Sequence, residues 1–333
     1  MAPDDRGNGC GLNRRDFLKV AAGAGVAAAL PGCPGLLPSD NGLTAATAIL
    51  PARYDDALVD VIEAGFEVVP PPDVTGKRVV LKPNLVDLPR DNKPIVTNPA
   101  VIMAAVEAFR RRGAADVIVG DGSALQRDVR QIADAVGLTP LLDQDGVKFV
   151  DLGTDDVVGL PNAGGYLELD TIYFSRTTAQ ADVLVSMPKM KTHHWAGVSL
   201  SMKNLYGTTP GQVYGWPRNF FHMRNLHPAV LDFNLTQPAD YAIVDGVVGL
   251  EGDGPVRGTP IDVGVLVMGA NPTAVDATTT RIMGLTPEAI TYLSWSAGRL
   301  GPILEDSIEQ RGETIVSVST PFEVLSHQAT LVV

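Results

Sequence analysis

Six side chains capable of acid, base or ligand chemistry fall between Lys189 and Asn204: Lys189, Lys191, His193, His194, Lys203 and Asn204. The chain has eight lysines, one of them Lys19 near the N-terminus, so three of the other seven sit in this stretch. Two of its five histidines are here, and His222 and His227 follow soon after. In a chain of net charge -12, cations gathered in one place suggest a site for an anion. A lysine is usually a solvated surface residue, and two adjacent histidines often make an ordinary loop. The combination of lysines, imidazoles and similar groups elsewhere argues for a site.

The similar groups are Lys82 and Asn84, Asp121 and Ser123, and Asp245, each directly after an apolar run. Ammonium groups are point charges suited to carboxylate or phosphate. A lysine that is desolvated or lies near other cations also loses proton affinity and can act as a base. Lys189, Lys191, His193 and Asp245 are therefore the candidate catalytic set. Lys82, Asn84, Asp121, Lys203, Asn204 and Asp276 are candidates for holding a cofactor or substrate. His194, His222 and His227 could ligate a divalent metal. His227 precedes a helix-starting proline and has capping as an alternative role. Asp276 lies among small apolar residues of a helix and needs a partner if buried; a lysine of the site is the expected one.

These residues need a frame. Arg78–Leu81, Asp116–Gly120, Val147–Val150, Val183–Met187, Tyr241–Val244 and Ile261–Met268 read as short buried strands. Between them lie helical segments with start and stop signals: Asp55 and Asp56 before a helix to Ala64, Asn98-Pro99 before one closed by Gly113, Arg127 to Val136 before Gly137, His227-Pro228 to Asn234, Asn271-Pro272 to Gly284, and Thr286-Pro287. Alternation of this kind argues for an α/β fold with a mostly parallel sheet covered by helices on both faces. Residues 151–180 read as a small β-rich excursion, 206–225 as an ordered loop or lid, and 314–333 as short closing strands. Pro188 ends the strand before the lysines.

Parallel strands bring their carboxyl ends to one edge, where ligands bind. Lys82, Asn84, Lys189, Lys191, His193, Lys203, Asn204 and Asp245 are thus expected to converge on one pocket. Asp245, with Asp276 behind it, would supply the internal counter-charge. Placement of Lys82 and Lys189 on opposite faces of the sheet would break that expectation.

The whole chain sets limits. At 333 residues, 45% hydrophobic and 19% charged, it is an ordinary globular composition. An acidic chain without a basic tract does not suit nucleic acid. Asn13-Arg14-Arg15-Asp16-Phe17-Leu18-Lys19, followed by the apolar run Val20 to Leu30, resembles a twin-arginine export signal. Leu30-Pro31-Gly32-Cys33 resembles a lipobox, which would tie the protein to a membrane through a lipid on Cys33 and by no other route. Residues 1–33 therefore read as signal, 34–50 as a tether and 51–333 as a single α/β domain. With Cys10 removed, one cysteine remains at most, too few for a disulfide or a cysteine-ligated iron–sulfur cluster. No Walker loop, dinucleotide fingerprint or nucleophile elbow is present.

The segments Val80-Leu-Lys-Pro-Asn-Leu-Val86, Pro188-Lys-Met-Lys-Thr-His193, Met202-Lys-Asn-Leu-Tyr-Gly207, Asp245 to Pro255 and Gly269 to Gly284 resemble those of the family called domain of unknown function 362. The resemblance covers about residues 79 to 284. It implies an α/β fold and a shared pocket, but no activity. Some relatives carry ferredoxin-like cysteine clusters, which this chain lacks. A remote likeness in layout to nickel-dependent lactate racemases concerns the fold alone. The expected partners are a small anionic molecule and the twin-arginine export machinery. Three functions fit: an exported enzyme using Lys/His acid–base chemistry on a small anion, a binding lipoprotein with the same pocket, and a metal-dependent hydrolase.

Overall fold

A computed structural model describes residues 39–91, 93–124, 128–216 and 219–332. The signal sequence, Cys10, Cys33 and Arg127 lie outside the described residues. The frame is a ten-stranded sheet whose main path runs β12 (Ile308–Gly312), β1 (Ala45–Pro51), β11 (Thr259–Gly269), β10 (Tyr241–Glu251), β7 (Val183–Met187), β2 (Arg78–Pro83), β3 (Asp116–Asp121), β4 (Lys148–Asp151). Its parallel half comprises β2, β3, β4, β7 and the start of β10. Here β11 runs antiparallel between β10 and β1, and β1 pairs in parallel with β12. The sheet is mostly parallel, as the alternation of strands and helices implies.

Both faces are covered because the strands alternate apolar side chains to each side. Val79, Leu81, Val185 and Ile243 pack with Phe66 of α1 (Leu58–Val68) and Phe109 of α2 (Pro99–Arg111). The same face takes α3 (Val129–Ala135) and α4 (Leu138–Gln144) through Ile132 and Leu142. Val80, Leu184, Ala242 and Val244 face the other way, against Phe233 and Val275. Those residues belong to α7 (Leu226–Thr236) and α8 (Pro272–Ile282), with α5 (Ser201–Asn204) and α6 (Asn219–Arg224) nearer the site. Asn98 caps α2 by accepting from Ala100 N–H, with Pro99 in the first turn. Asp128 caps α3 by accepting from Arg130 N–H. The excursion is a separate two-stranded antiparallel ribbon, β5 (Val157–Pro161) with β6 (Thr171–Ser175).

Three boundaries differ from the sequence reading. First, residues 39–50 are not tether. Asp40 accepts the backbone N–H groups of Ile303 and Leu304, and Ala48 and Ile49 are fully buried in β1. The Ala/Thr-rich composition that reads as linker instead supplies small side chains at a crowded sheet position, where Thr47 meets Thr278 at 3.2 Å. Second, Pro188 ends β7 as expected, but the chain does not stay unpaired. It resumes as β8 (Lys189–His193), parallel to β10 and then antiparallel to β9 (Gly197–Ser199). Pro188 lacks an N–H, but its carbonyl accepts from Asp245 N–H at 2.9 Å, so pairing continues. Third, 314–333 form no strands among the described residues beyond β12. They make one helical turn at Ile315–Val318 and a 3-10 turn at Ser326–Leu331. Among the described residues no helix is long and apolar enough to cross a membrane.

Candidate functional site

The carboxyl ends of β2, β3 and β8 surround a cavity of about 90 Å³. Lys82, Asn84, Asp121, Lys191, His193, Lys203, Asn204 and His222 all border it. Six of the eight residues expected to converge, Lys82, Asn84, Lys191, His193, Lys203 and Asn204, are therefore together. Lys189 and Asp245 are not in its lining.

Lys82 continues the side of β2 that carries Val80. Its ammonium lies 2.7 Å from Asp121 Oδ1 and donates to Asn204 Oδ1 at 2.6 Å and to Pro83 O at 2.8 Å. Asp121 accepts from Leu85 N–H and Gly122 N–H as well. The cavity's counter-charge is thus Asp121, not Asp245 or Asp276. Gly207 lies against this pair: a Cβ there would sit 2.2 Å from Asp121 Oδ1 and 2.6 Å from Lys82 Cε. Asn204 fixes the other side, donating to Lys82 O at 2.9 Å and Ser186 Oγ at 3.1 Å.

Asn84, just past β2, links the two sides of the sheet. Its Nδ2 donates to Asn204 Oδ1 at 3.3 Å, and its Oδ1 accepts from Lys191 at 2.5 Å. Lys191 also donates to Ile95 O at 2.8 Å. It is 1% exposed and, among the described residues, has no carboxylate within ion-pair distance. Burial holds its proton affinity well below that of a free lysine, and the charges of Lys189, Lys203 and Lys82 lower it further. Lys203 completes the cationic wall, with its ammonium 4.1 Å from the centre of the Tyr206 ring. His222 meets the same ring edge-on at 4.8 Å.

His193 is 3% exposed, and its Nδ1 accepts from Trp195 N–H at 3.1 Å and Ala196 N–H at 3.2 Å. Burial, then the charges of Lys203, His194, His222 and Lys191, keep it well below the usual histidine range.

Lys189 and Asp245 form a sealed pair on the opposite side of the sheet, both fully buried and 3.0 Å apart. Lys189 donates to Tyr54 OH at 2.5 Å, and Tyr54 donates to Asp245 Oδ1 at 3.0 Å. Asp245 Oδ2 also accepts from Asn98 N–H at 2.9 Å, at the start of α2. Burial lowers Lys189, with Asp245 opposing, and raises Tyr54. Lys82 and Lys189 thus point to opposite faces, and Lys189 and Asp245, expected in the same pocket as Lys82, instead form a buried brace outside the cavity lining. The cause is strand parity: Asp245 continues the series Tyr241, Ile243, which packs toward α1 and α2.

Asp276 is fully buried, but its partners are not lysines. Its two oxygens accept from Ser201 N–H at 2.7 Å and Met202 N–H at 2.9 Å, the amides that open α5. Burial pushes it up to about 7 against those bonds. It positions the segment carrying Lys203 and Asn204 without bordering the cavity. Among the described residues no group of three or more His, Cys, Asp or Glu is placed to hold a metal. His194 Nδ1 lies 2.7 Å from Gly254 O, and His227 packs beside the Tyr292 ring, where burial lowers it to about 4. Of the three proposed ligands only His222 borders the cavity.

Sequence reasoning missed Tyr54, which no motif marks, and Gly207, whose place inside Met202–Gly207 was the available signal. It also missed the carbonyl of Ile95, since backbone acceptors have no sequence signature.

The family described as Domain of unknown function (DUF362) matches residues 79–281, a span holding every cavity residue named above. A twin-arginine translocation pathway signal sequence matches residues 11–31. A thylakoid-associated protein of Synechocystis sp. is 29% identical over 232 residues, 68% of each chain. Among solved structures, the lactate racemase apoprotein of Thermoanaerobacterium thermosaccharolyticum matches with TM-score 0.41 and 14% identity, covering 73% of this chain and 61% of that one. A protein of Thermotoga maritima matches with TM-score 0.36 and 13% identity, over 60% of this chain and 51% of that one.

Proposed function

We propose that this chain, which belongs to the DUF362 family and carries a twin-arginine signal for export across the cytoplasmic membrane, is an enzyme acting on a small anionic substrate or cofactor. The observation that carries the reading is Lys191. A buried ammonium without a carboxylate partner is unfavourable, so the amine is held neutral or is matched by a ligand's charge. As a neutral amine it has two N–H groups, which suit Asn84 Oδ1 and Ile95 O. The lone pair is then left for a proton from the cavity side. Lys82 is already matched by Asp121. Lys203 adds a further positive charge to the lining and acts on Lys191, which favours a carboxylate or phosphate in the cavity.

The Synechocystis relative is named as thylakoid-associated. We extend a membrane association to this chain through a lipid on Cys33; Cys33→Ser should then release it from the membrane fraction.

Thermal unfolding tests the site. Small carboxylates or phosphate should raise the midpoint of the wild type. Lys191→Met should remove that rise while unfolding stays cooperative. A wild type indifferent to both anion classes would end the reading. Binding that survives in Lys191→Met would remove Lys191 from the site.

A further inference from the structure

We propose that His193 is a fixed hydrogen-bond donor to the bound anion: an imidazole locked as its Nε2–H tautomer, aimed at an unprotonated carboxylate or phosphate oxygen. This rests on the anion-site reading above and assigns His193 a role opposite to that of a base.

The lock follows from donor and acceptor chemistry. A backbone N–H can only donate. Two of them, from Trp195 and Ala196, point at Nδ1, so Nδ1 must present its lone pair. In a neutral ring the proton is then on Nε2. The ring borders the cavity, and among the described residues Nε2 has no hydrogen-bond partner. Nε2–H is thus open to the cavity, where an oxygen of a ligand would accept from it. Protonation of Nδ1 would break both backbone bonds. It would also add a cation facing Lys203, His194, His222 and Lys191.

The neighbouring histidine shows the contrast. His194 Nδ1 faces Gly254 O at 2.7 Å, and a carbonyl can only accept, so His194 carries its proton on Nδ1. Adjacent imidazoles therefore hold opposite tautomers, and of the two only His193 borders the cavity. His193 cannot take a proton from a ligand at Nε2. Lys191 is left as the proton acceptor, with His193 polarising or holding the ligand oxygen.

Two measurements test this on the exported protein. Nitrogen-15 spectra of the histidine rings should show His193 neutral and protonated on Nε2 from about pH 8 to about pH 5. An Nδ1–H ring, or an imidazolium at neutral pH, would overturn the lock. The second measurement uses His193→Asn, whose side-chain oxygen stands near the place of Nδ1 and which has no distal donor. It should keep the wild-type unfolding midpoint and bind acetate or phosphate at least about tenfold more weakly. The two probes separate carboxylate from phosphate recognition. Unchanged affinity for both in His193→Asn overturns the donor role. If the wild type binds neither probe, the anion-site reading and the donor role fall together, while the spectra still decide the tautomer.

Discussion

Lys189→Met separates a structural from a catalytic Lys189. The pair it breaks is fully buried, with Lys189 3.0 Å from Asp245. Methionine keeps the length and apolar stem but leaves the Asp245 carboxylate without its cation. Breaking one side of a buried pair costs about 3–5 kcal/mol. Three donors remain on Asp245: Tyr54 OH at 3.0 Å, Asn98 N–H at 2.9 Å and Val247 N–H at 3.3 Å. The start of α2 also favours a negative charge there. These place the expected cost near the lower end, at about 3 kcal/mol, or a midpoint lowered by roughly 6–12 °C for a domain of this size. Urea unfolding followed by circular dichroism measures it. Adding Asp245→Leu removes the stranded charge and should recover at least about 1 kcal/mol, the signature of coupled partners. A single variant within about 1 kcal/mol of wild type, or a double variant no better than the single, would refute the brace. The same substitution has a second readout. Lys189 is one of the cations that push Lys191 down, so Lys191 should titrate higher in the variant.

The pH dependence of stability tests Lys191 directly. Because its folded pKa is depressed, the unfolded chain binds a proton that the folded one lacks, so this group makes stability rise with pH up to the free-lysine value near ~10.4. Compared with Lys191→Met, the wild type should gain stability as pH climbs toward about 10, and parallel curves from the two proteins would mean an ordinary lysine. Gly207→Ala inserts a methyl group 2.2 Å from Asp121 Oδ1; it should cost about 1–3 kcal/mol and weaken anion stabilisation, and a variant equal to wild type in both would show that the Lys82–Asp121 pair moves freely. Arg14→Lys with Arg15→Lys should leave folded protein in the cytoplasm, which fractionation reads; continued export would count against use of the signal at residues 11–31.

The convergence of Lys82, Asn84, Lys191, His193, Lys203 and Asn204 is legible because each lies at or beyond the end of an apolar run, and parallel strands end at one edge. What is not legible is parity. Asp245 looks like another strand-end carboxylate, but it continues the side of β10 that carries Tyr241 and Ile243, away from the cavity. Lys189 goes with it because β8 resumes pairing after Pro188, which no local pattern announces. Tyr54, the third member of that brace, lies 135 positions from Lys189 in an unremarkable stretch. Asp276 is correctly read as a buried carboxylate in need of partners. Its partners are backbone amides of Ser201 and Met202, and amides are the one donor type every residue carries. The strand Ala45–Pro51 is hidden by small side chains that look like linker and act as filler between β11 and β12.

The two lysines of β8 make the strongest argument that the cavity has a purpose. Lys189 and Lys191 are two residues apart on one strand, and both are buried. Lys189 receives a carboxylate, a tyrosine hydroxyl and a place against the Tyr54 ring, 5.3 Å from its centre. Lys191 receives only neutral acceptors, Asn84 Oδ1 and Ile95 O, and lies within reach of other cations. Stability alone would favour an apolar residue at Lys191, since a well-packed hydrophobic side chain is often the better tenant of a buried charged site. A residue that breaks the local rule without compensation inside the protein is where function is expected. The compensation that completes Lys191 is then a ligand: one that brings negative charge, or that delivers a proton to the waiting amine.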